Sequence, residues 1–151
     1  MGNLDVVDEL IAPHFSRSES EVRRRARNYL RGLLILIYDV VYGWEKKRRM
    51  KRILFVEDHT TFRQALTNII GRESDLGEVP QAGTLAEGRE LGLLGEVDLA
   101  IVDLALPDGD GLGLIGELRA INSGVSVFAI SSTVEMTHPT DAIETGADGI
   151  I

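Results

Sequence analysis

The sequence predicts an α/β fold: a doubly wound parallel sheet with helices on both faces, preceded by a helical N-terminal segment. Two observations carry this expectation. From Ile53 onward, short apolar runs of strand length alternate with segments of helical spacing, which is the signature of parallel strands joined by helical crossovers. Charge is also divided unevenly: residues 1–52 hold 12 Lys+Arg against 7 Asp+Glu, a balance of +5, whereas residues 53–151 hold 4 against 17, a balance of −13. The boundary falls near Met50, so the expected domains are a basic helical segment over 1–50 and the sheet domain over 51–151. Lys46, Lys47 and Lys51 are all the lysines in the sequence, and the acidic half has none.

Composition narrows the function classes. A chain of 151 residues, 44% apolar and 26% charged, builds one ordinary globular domain with an appendage and is too short for a two-domain enzyme. Absence of Cys excludes disulfides, thiolate metal sites and a cysteine nucleophile, and the expected location is the cytoplasm. The longest apolar run, Leu33 to Val41, is broken by Asp39 and falls short of the roughly 20 residues of a membrane-spanning helix. No membrane association is expected, and the acidic start Met1-Gly2-Asn3-Leu4-Asp5 is unlike a signal peptide.

In the basic segment, Leu4 to Ile11 reads as a short helix ended by Pro13. A second, long helix follows Ser18, whose spacing to Glu21 makes a capping box. Its stripe of Ala26, Leu30, Leu33, Ile37, Val40 and Trp44 is expected to pack on the second half or on another chain.

In the sheet domain, Arg52 to Val56 is a strand and Thr60 to Ile70 a helix closed by Gly71. Glu78 to Ala82 is an edge strand, because Pro80 cannot donate to a ladder. Thr84 caps a helix to Leu94, and Leu99 to Asp103 is a fully buried strand. A turn rich in Pro, Asp and Gly leads to a helix over Leu112 to Ile121, then a strand over Val125 to Ile130. Pro139 to Thr145 is a helix with Pro in its first turn, and Gly149 begins a last strand.

In such sheets ligands bind at the carboxyl ends of the strands. Those ends carry Glu57-Asp58, Asp103 and Ser131-Ser132-Thr133. If these three strands are neighbours, three carboxylates and a row of hydroxyls converge. Clustered carboxylates resist ionisation unless protons or a cation are bound, and oxygen-only ligands with few protein contacts suit Mg²⁺. A carboxylate beside Mg²⁺ can also act as a nucleophile toward phosphorus.

Ile53-Leu54-Phe55-Val56-Glu57-Asp58-His59, Asp103 through Gly111, Ala129-Ile130-Ser131-Ser132 and Gly146-Ala147-Asp148-Gly149 together resemble the receiver domain of two-component response regulators. The resemblance covers about residues 51–151. It implies a flavodoxin-like sheet of strand order 2-1-3-4-5, here with the last strand cut short and the last helix missing. It implies Asp103 as phosphoacceptor, Mg²⁺ held by Glu57, Asp58, Asp103 and the backbone carbonyl of Ala105, and Ser131 as the switch hydroxyl. The implied partner is a sensor histidine kinase or phosphotransfer protein, with room for a homodimer, and the module receives phosphate rather than working as an enzyme. The family's phosphate-contacting lysine falls at 153, past Ile151, and its aromatic switch position falls on Ile150.

Residues 1–34 resemble the opening of an insertion-sequence transposase of the DDE class, without catalytic residues. A transposase leader joined to a truncated receiver is the history this suggests. Two other readings stay beside the phosphoacceptor: a phosphorylation-incompetent pseudo-receiver acting as an interaction module, and a transposase-derived remnant binding nucleic acid through the basic residues of 23–52. Gly111, Gly113 and Gly116 spell a dinucleotide fingerprint, but Leu104 to Asp110 separates them from the strand, and Asp103, Asp108 and Asp110 would repel a pyrophosphate. Asp108 and Asp110 resemble part of a calcium loop that lacks its later glutamate.

Overall fold

The computed structural model describes residues 52–70, 77–131 and 139–151, and in the N-terminal segment the helical positions Arg24, Arg27, Arg31, Gly32 and Ile35. The chain divides into two compact units, Met1–Arg49 and Met50–Ile151. The expected helix over Leu4 to Ile11, the capping box at Ser18, the apolar run 33–41 apart from Ile35, and most of the transposase-like stretch lie outside the described residues.

The second unit is built on β1 (Ile53–Val56), α1 (Thr60–Ile70), β2 (Gln81–Ala82), α2 (Leu85–Leu93) and β3 (Leu99–Asp103). It continues through a small hairpin of β4 (Ala105–Leu106) and β5 (Gly109–Asp110), then α3 (Gly111–Ile121), β6 (Ser126–Ile130), α4 (Pro139–Thr145) and β7 (Gly149–Ile150). The main sheet has the order β2-β1-β3-β6-β7, parallel throughout. This is the flavodoxin-like order expected from the sequence, with the hairpin added between the third and fourth sheet strands.

Strand sequence explains strand position. β1 and β3 are buried at every residue and β6 at all but Ser126, so both faces are covered and the apolar runs are continuous rather than alternating. Alternation instead sorts side chains between faces. Leu54, Val56, Ala100, Val102, Val127 and Ala129 join Leu85, Leu114, Ile115 and Leu118 of α2 and α3 in one apolar cluster. On the opposite face Phe55 approaches Phe62 of α1, ring centroids 6.3 Å apart. Each fully buried Ile or Leu contributes about 1.5–3 kcal/mol relative to exposure. β2 is short and at the edge, as Pro80 requires, although carbonyls before it accept from β1: Ile53 N–H donates to Glu78 O at 3.1 Å and Phe55 N–H to Pro80 O at 3.0 Å.

Helix ends follow local chemistry. Thr84 Oγ1 accepts from Glu87 N at 3.1 Å, and Glu87 Oε2 accepts from Gly83 N at 2.7 Å, one residue before the cap, so the two side chains close the start of α2 in the manner of a capping box shifted by one residue. At the far end of the sheet Arg119 of α3 donates to Gly146 O at 2.8 Å and pairs with Asp148 Oδ1 at 2.5 Å. Asp148 Oδ2 in turn accepts from Val127 N at 2.8 Å. This chain of bonds fastens the turn before β7 to β6 and to α3.

Candidate functional site

β1 and β3 are adjacent and in register, so both deliver their C-terminal residues to one edge of the sheet. Glu57 and Asp103 are buried, at 5% and 2% exposure, while Asp58 faces solvent. Oxygens of Glu57, Asp58 and Asp103 lie within 4.8 Å of one another. Backbone geometry holds each of the buried pair. Glu57 N–H donates to Ala82 O at 2.9 Å, its Oε1 accepts from His59 N at 3.0 Å, and its carbonyl accepts from Arg63 Nη1. Asp103 Oδ1 accepts from Ala105 N at 2.9 Å.

Electrostatics follow from this crowding. Burial, with the Asp103 and Asp58 charges adding to it, pushes the Glu57 carboxyl up to about 8 against the opposing bond from His59 N–H. Burial also raises Asp103, helped by the charge of Asp58 and opposed by the Ala105 N–H. Three carboxylates that cannot all ionise comfortably form a site for a proton or a hard cation. The donor set is oxygen only and partly open to water, which fits Mg²⁺ better than a softer metal.

The match to known proteins agrees with this geometry. A model of the response regulator receiver domain matches residues 53–151. The chain belongs to the response regulator receiver family. It is similar to the KDP operon transcriptional regulatory protein KdpE of Escherichia coli (strain K12), 37% identical over 99 residues, which are 66% of this chain and 43% of that protein. Among solved structures it is similar to a CheY-like receiver domain protein from Methanospirillum hungatei JF-1, with TM-score 0.63 and 27% identity, covering 68% of this chain and 81% of that one. It is also similar to the response regulator TrrA of Thermotoga maritima, solved in complex with Mg(2+)-BeF, with TM-score 0.58 and 26% identity, covering 68% and 85%. The chain spans less than half the length of the first curated transcriptional regulators it matches. Among the described residues no helix is long and apolar enough to cross a membrane.

Within the receiver domain the remaining predicted positions are placed as follows. Ser131 directly follows β6, one residue beyond the pairing of Asp103 with Ile130, and its N–H donates to Ile151 O at 3.4 Å. Ser132 and Thr133 lie outside the described residues. Ala105 opens the hairpin, paired with Asp110. His59 is exposed, and its Nδ1 accepts from Phe62 N at 3.3 Å, a local role at the start of α1.

The Pro-Asp-Gly loop holds what sequence reasoning missed. It forms a hairpin, with Gly109 at φ +144°, rather than a plain turn. Asp110 caps α3, accepting from Leu112 N at 2.9 Å. Asp108 accepts from Leu85 N at 2.7 Å and Ala86 N at 3.0 Å, bonds that hold its carboxyl below the usual range. Both acids are therefore helix caps. Gly111 lies so close to β3 that a Cβ there would sit 2.2 Å from Asp103 O, whereas one at Gly113 would meet nothing within 4 Å. The first glycine of the apparent fingerprint serves strand–helix packing beside the acidic cluster.

Proposed function

We propose that this receiver domain, residues 51–151, accepts a phosphoryl group on Asp103 from a cytoplasmic histidine kinase or phosphotransfer protein, in a reaction that requires Mg²⁺. The observation that carries the reading is the convergence of Glu57, Asp58 and Asp103 oxygens within 4.8 Å at the carboxyl edge of a family-matched sheet. Glu57, Asp58, Asp103 and the Ala105 carbonyl are the residues that would hold the ion. Bound there, Mg²⁺ would offset the clustered negative charge and polarise the phosphoryl oxygens.

The chain's own groups do the rest. An Asp103 oxygen attacks phosphorus and forms an acyl phosphate, while the bond from phosphorus to the donor's imidazole nitrogen breaks and the departing imidazole takes a proton. The Ala105 N–H on Oδ1 orients the nucleophile. Ser131, which follows the neighbouring strand β6, would hydrogen-bond a phosphoryl oxygen and report the modification to β6. The module is a phosphoacceptor and signal carrier, and the basic segment 1–50 lies outside it.

The test is incubation of the full chain with a small acyl-phosphate donor, with and without Mg²⁺, read by intact mass. Gain of one phosphoryl group only with Mg²⁺ is the expected outcome. No gain under either condition would favour a pseudo-receiver.

Protonation supplies a second prediction. Mg²⁺ needs the carboxylates ionised, and Glu57 titrates at about 8. Apparent Mg²⁺ affinity should therefore fall by up to about tenfold per pH unit as pH drops below that value. The linked effect on folding has the opposite sign. The folded-state value lies above the unfolded one of 4.5, so in Mg²⁺-free buffer this group makes the fold more stable as pH falls from about 8 toward 4.5. Mg²⁺ titrations at pH 6 and pH 8 giving equal affinity would contradict this.

A further inference from the structure

We infer that Asp108 is a positioning residue for the acidic cluster: from the tip of the β4–β5 hairpin it ties that hairpin to the start of α2 and so fixes Ala105 beside Asp103. The inference rests on the Mg²⁺ reading of the site given above.

The hairpin is two residues per strand, Ala105 with Asp110 and Leu106 with Gly109, too little pairing to hold its own shape in water. Its base is tied to the strand ends. Leu104 N–H donates to Ile130 O at 2.9 Å, and Gly111 N–H donates to Leu104 O at 3.0 Å. Its tip is tied by Asp108, whose Oδ1 accepts from Leu85 N at 2.7 Å and whose Oδ2 accepts from Ala86 N at 3.0 Å. These are charge-assisted bonds to two backbone donors, and they span 23 and 22 residues of sequence.

Their capping of α2 has a second consequence. Thr84 already caps α2 through Glu87 N, and Glu87 answers through Gly83 N. Asp108 satisfies the remaining first-turn donors from a different part of the chain, so its distinctive effect is on where the hairpin sits. Between the two anchored ends lies Ala105, whose N–H holds Asp103 Oδ1 and whose carbonyl is a proposed ligand. Removing Asp108 leaves α2 with its own Thr84 and Glu87 bonds but frees the hairpin tip.

The experiment compares the full chain with Asp108→Ala and Asp108→Asn, measuring Mg²⁺ affinity by titration and the Mg²⁺-free melting midpoint. Loss of a partner bonded directly to a metal ligand costs roughly 10–100-fold in affinity. Asp108 acts one step further out, through the hairpin, so Asp108→Ala is expected to bind Mg²⁺ roughly three- to tenfold more weakly, at or below the foot of that range. Asp108→Asn, which keeps one acceptor oxygen, should lie between Asp108→Ala and the native chain. A merely structural role would lower the midpoint and leave the affinity alone. Native affinity in Asp108→Ala overturns the inference while sparing the metal reading. If that variant fails to melt cooperatively, Asp108→Asn decides in its place: weakened Mg²⁺ binding supports the inference and native affinity overturns it. A native chain that does not bind Mg²⁺ overturns the metal reading and this inference with it.

Discussion

Asp103→Asn is expected to abolish phosphoryl uptake while preserving the fold. Asparagine has the same shape, and its carbonyl oxygen can still accept from Ala105 N–H, which now holds Asp103 Oδ1 at 2.9 Å. What disappears is the nucleophilic carboxylate and one of three mutually repelling charges. Asp103 is 2% exposed, and both burial and the Asp58 charge raise its titration point, so the ionised form is held against an unfavourable environment. A neutral amide removes that unfavourable contribution. The variant should therefore melt at or above the native temperature in Mg²⁺-free buffer near pH 8, and show no mass gain from an acyl-phosphate donor. Retained uptake would mean that another residue is the acceptor, and loss of cooperative melting would mean that the Asp103 carboxylate serves the fold.

Gly111→Ala is the substitution expected to damage the fold most for its size. An added Cβ would lie 2.2 Å from Asp103 O and 3.1 Å from Leu104 Cα, and both are backbone atoms that cannot swing aside. Relief requires α3 to back away from β3, straining the 3.0 Å bond from Gly111 N–H to Leu104 O and moving Asp103 with it. Overpacking of this kind costs about 1–3 kcal/mol and occasionally more, and the upper end is expected here. Gly113→Ala is the contrast: nothing lies within 4 Å, and Ala in an exposed helix position is about 0.5–1 kcal/mol better than Gly. Denaturant midpoints measure both. Equal effects at the two positions would contradict the close-approach account.

Much of the sheet domain is legible in the sequence because its central strands β1, β3 and β6 are buried on both faces. Leu99 to Asp103 and Pro139 to Thr145 begin and end where the sequence places them, since an unbroken apolar run and a first-turn proline are local signals. The carboxylate cluster is legible for a related reason: once β1, β3 and β6 are neighbours, the residues at their ends must meet. The hairpin is not legible, because two-residue strands carry no period to read. Asp108 illustrates the limit further. Its partners at Leu85 and Ala86 are remote in sequence, and an acid among prolines and glycines reads equally as cap, turn or ligand. Asp148 stands out in the sequence only as part of a motif. Its work, pairing with Arg119 and accepting from Val127 N, depends on contacts between residues far apart in the chain that spacing does not display.

The most direct test of the central claim, that Glu57, Asp58 and Asp103 form a divalent-cation site, is a thermal melt of the full chain at pH 8 with and without millimolar Mg²⁺. A ligand that binds only the folded state raises its midpoint. The account predicts an upward shift in the native chain that is absent in Asp103→Asn. A cooperative melt that ignores Mg²⁺, or a shift of equal size in both proteins, would contradict it.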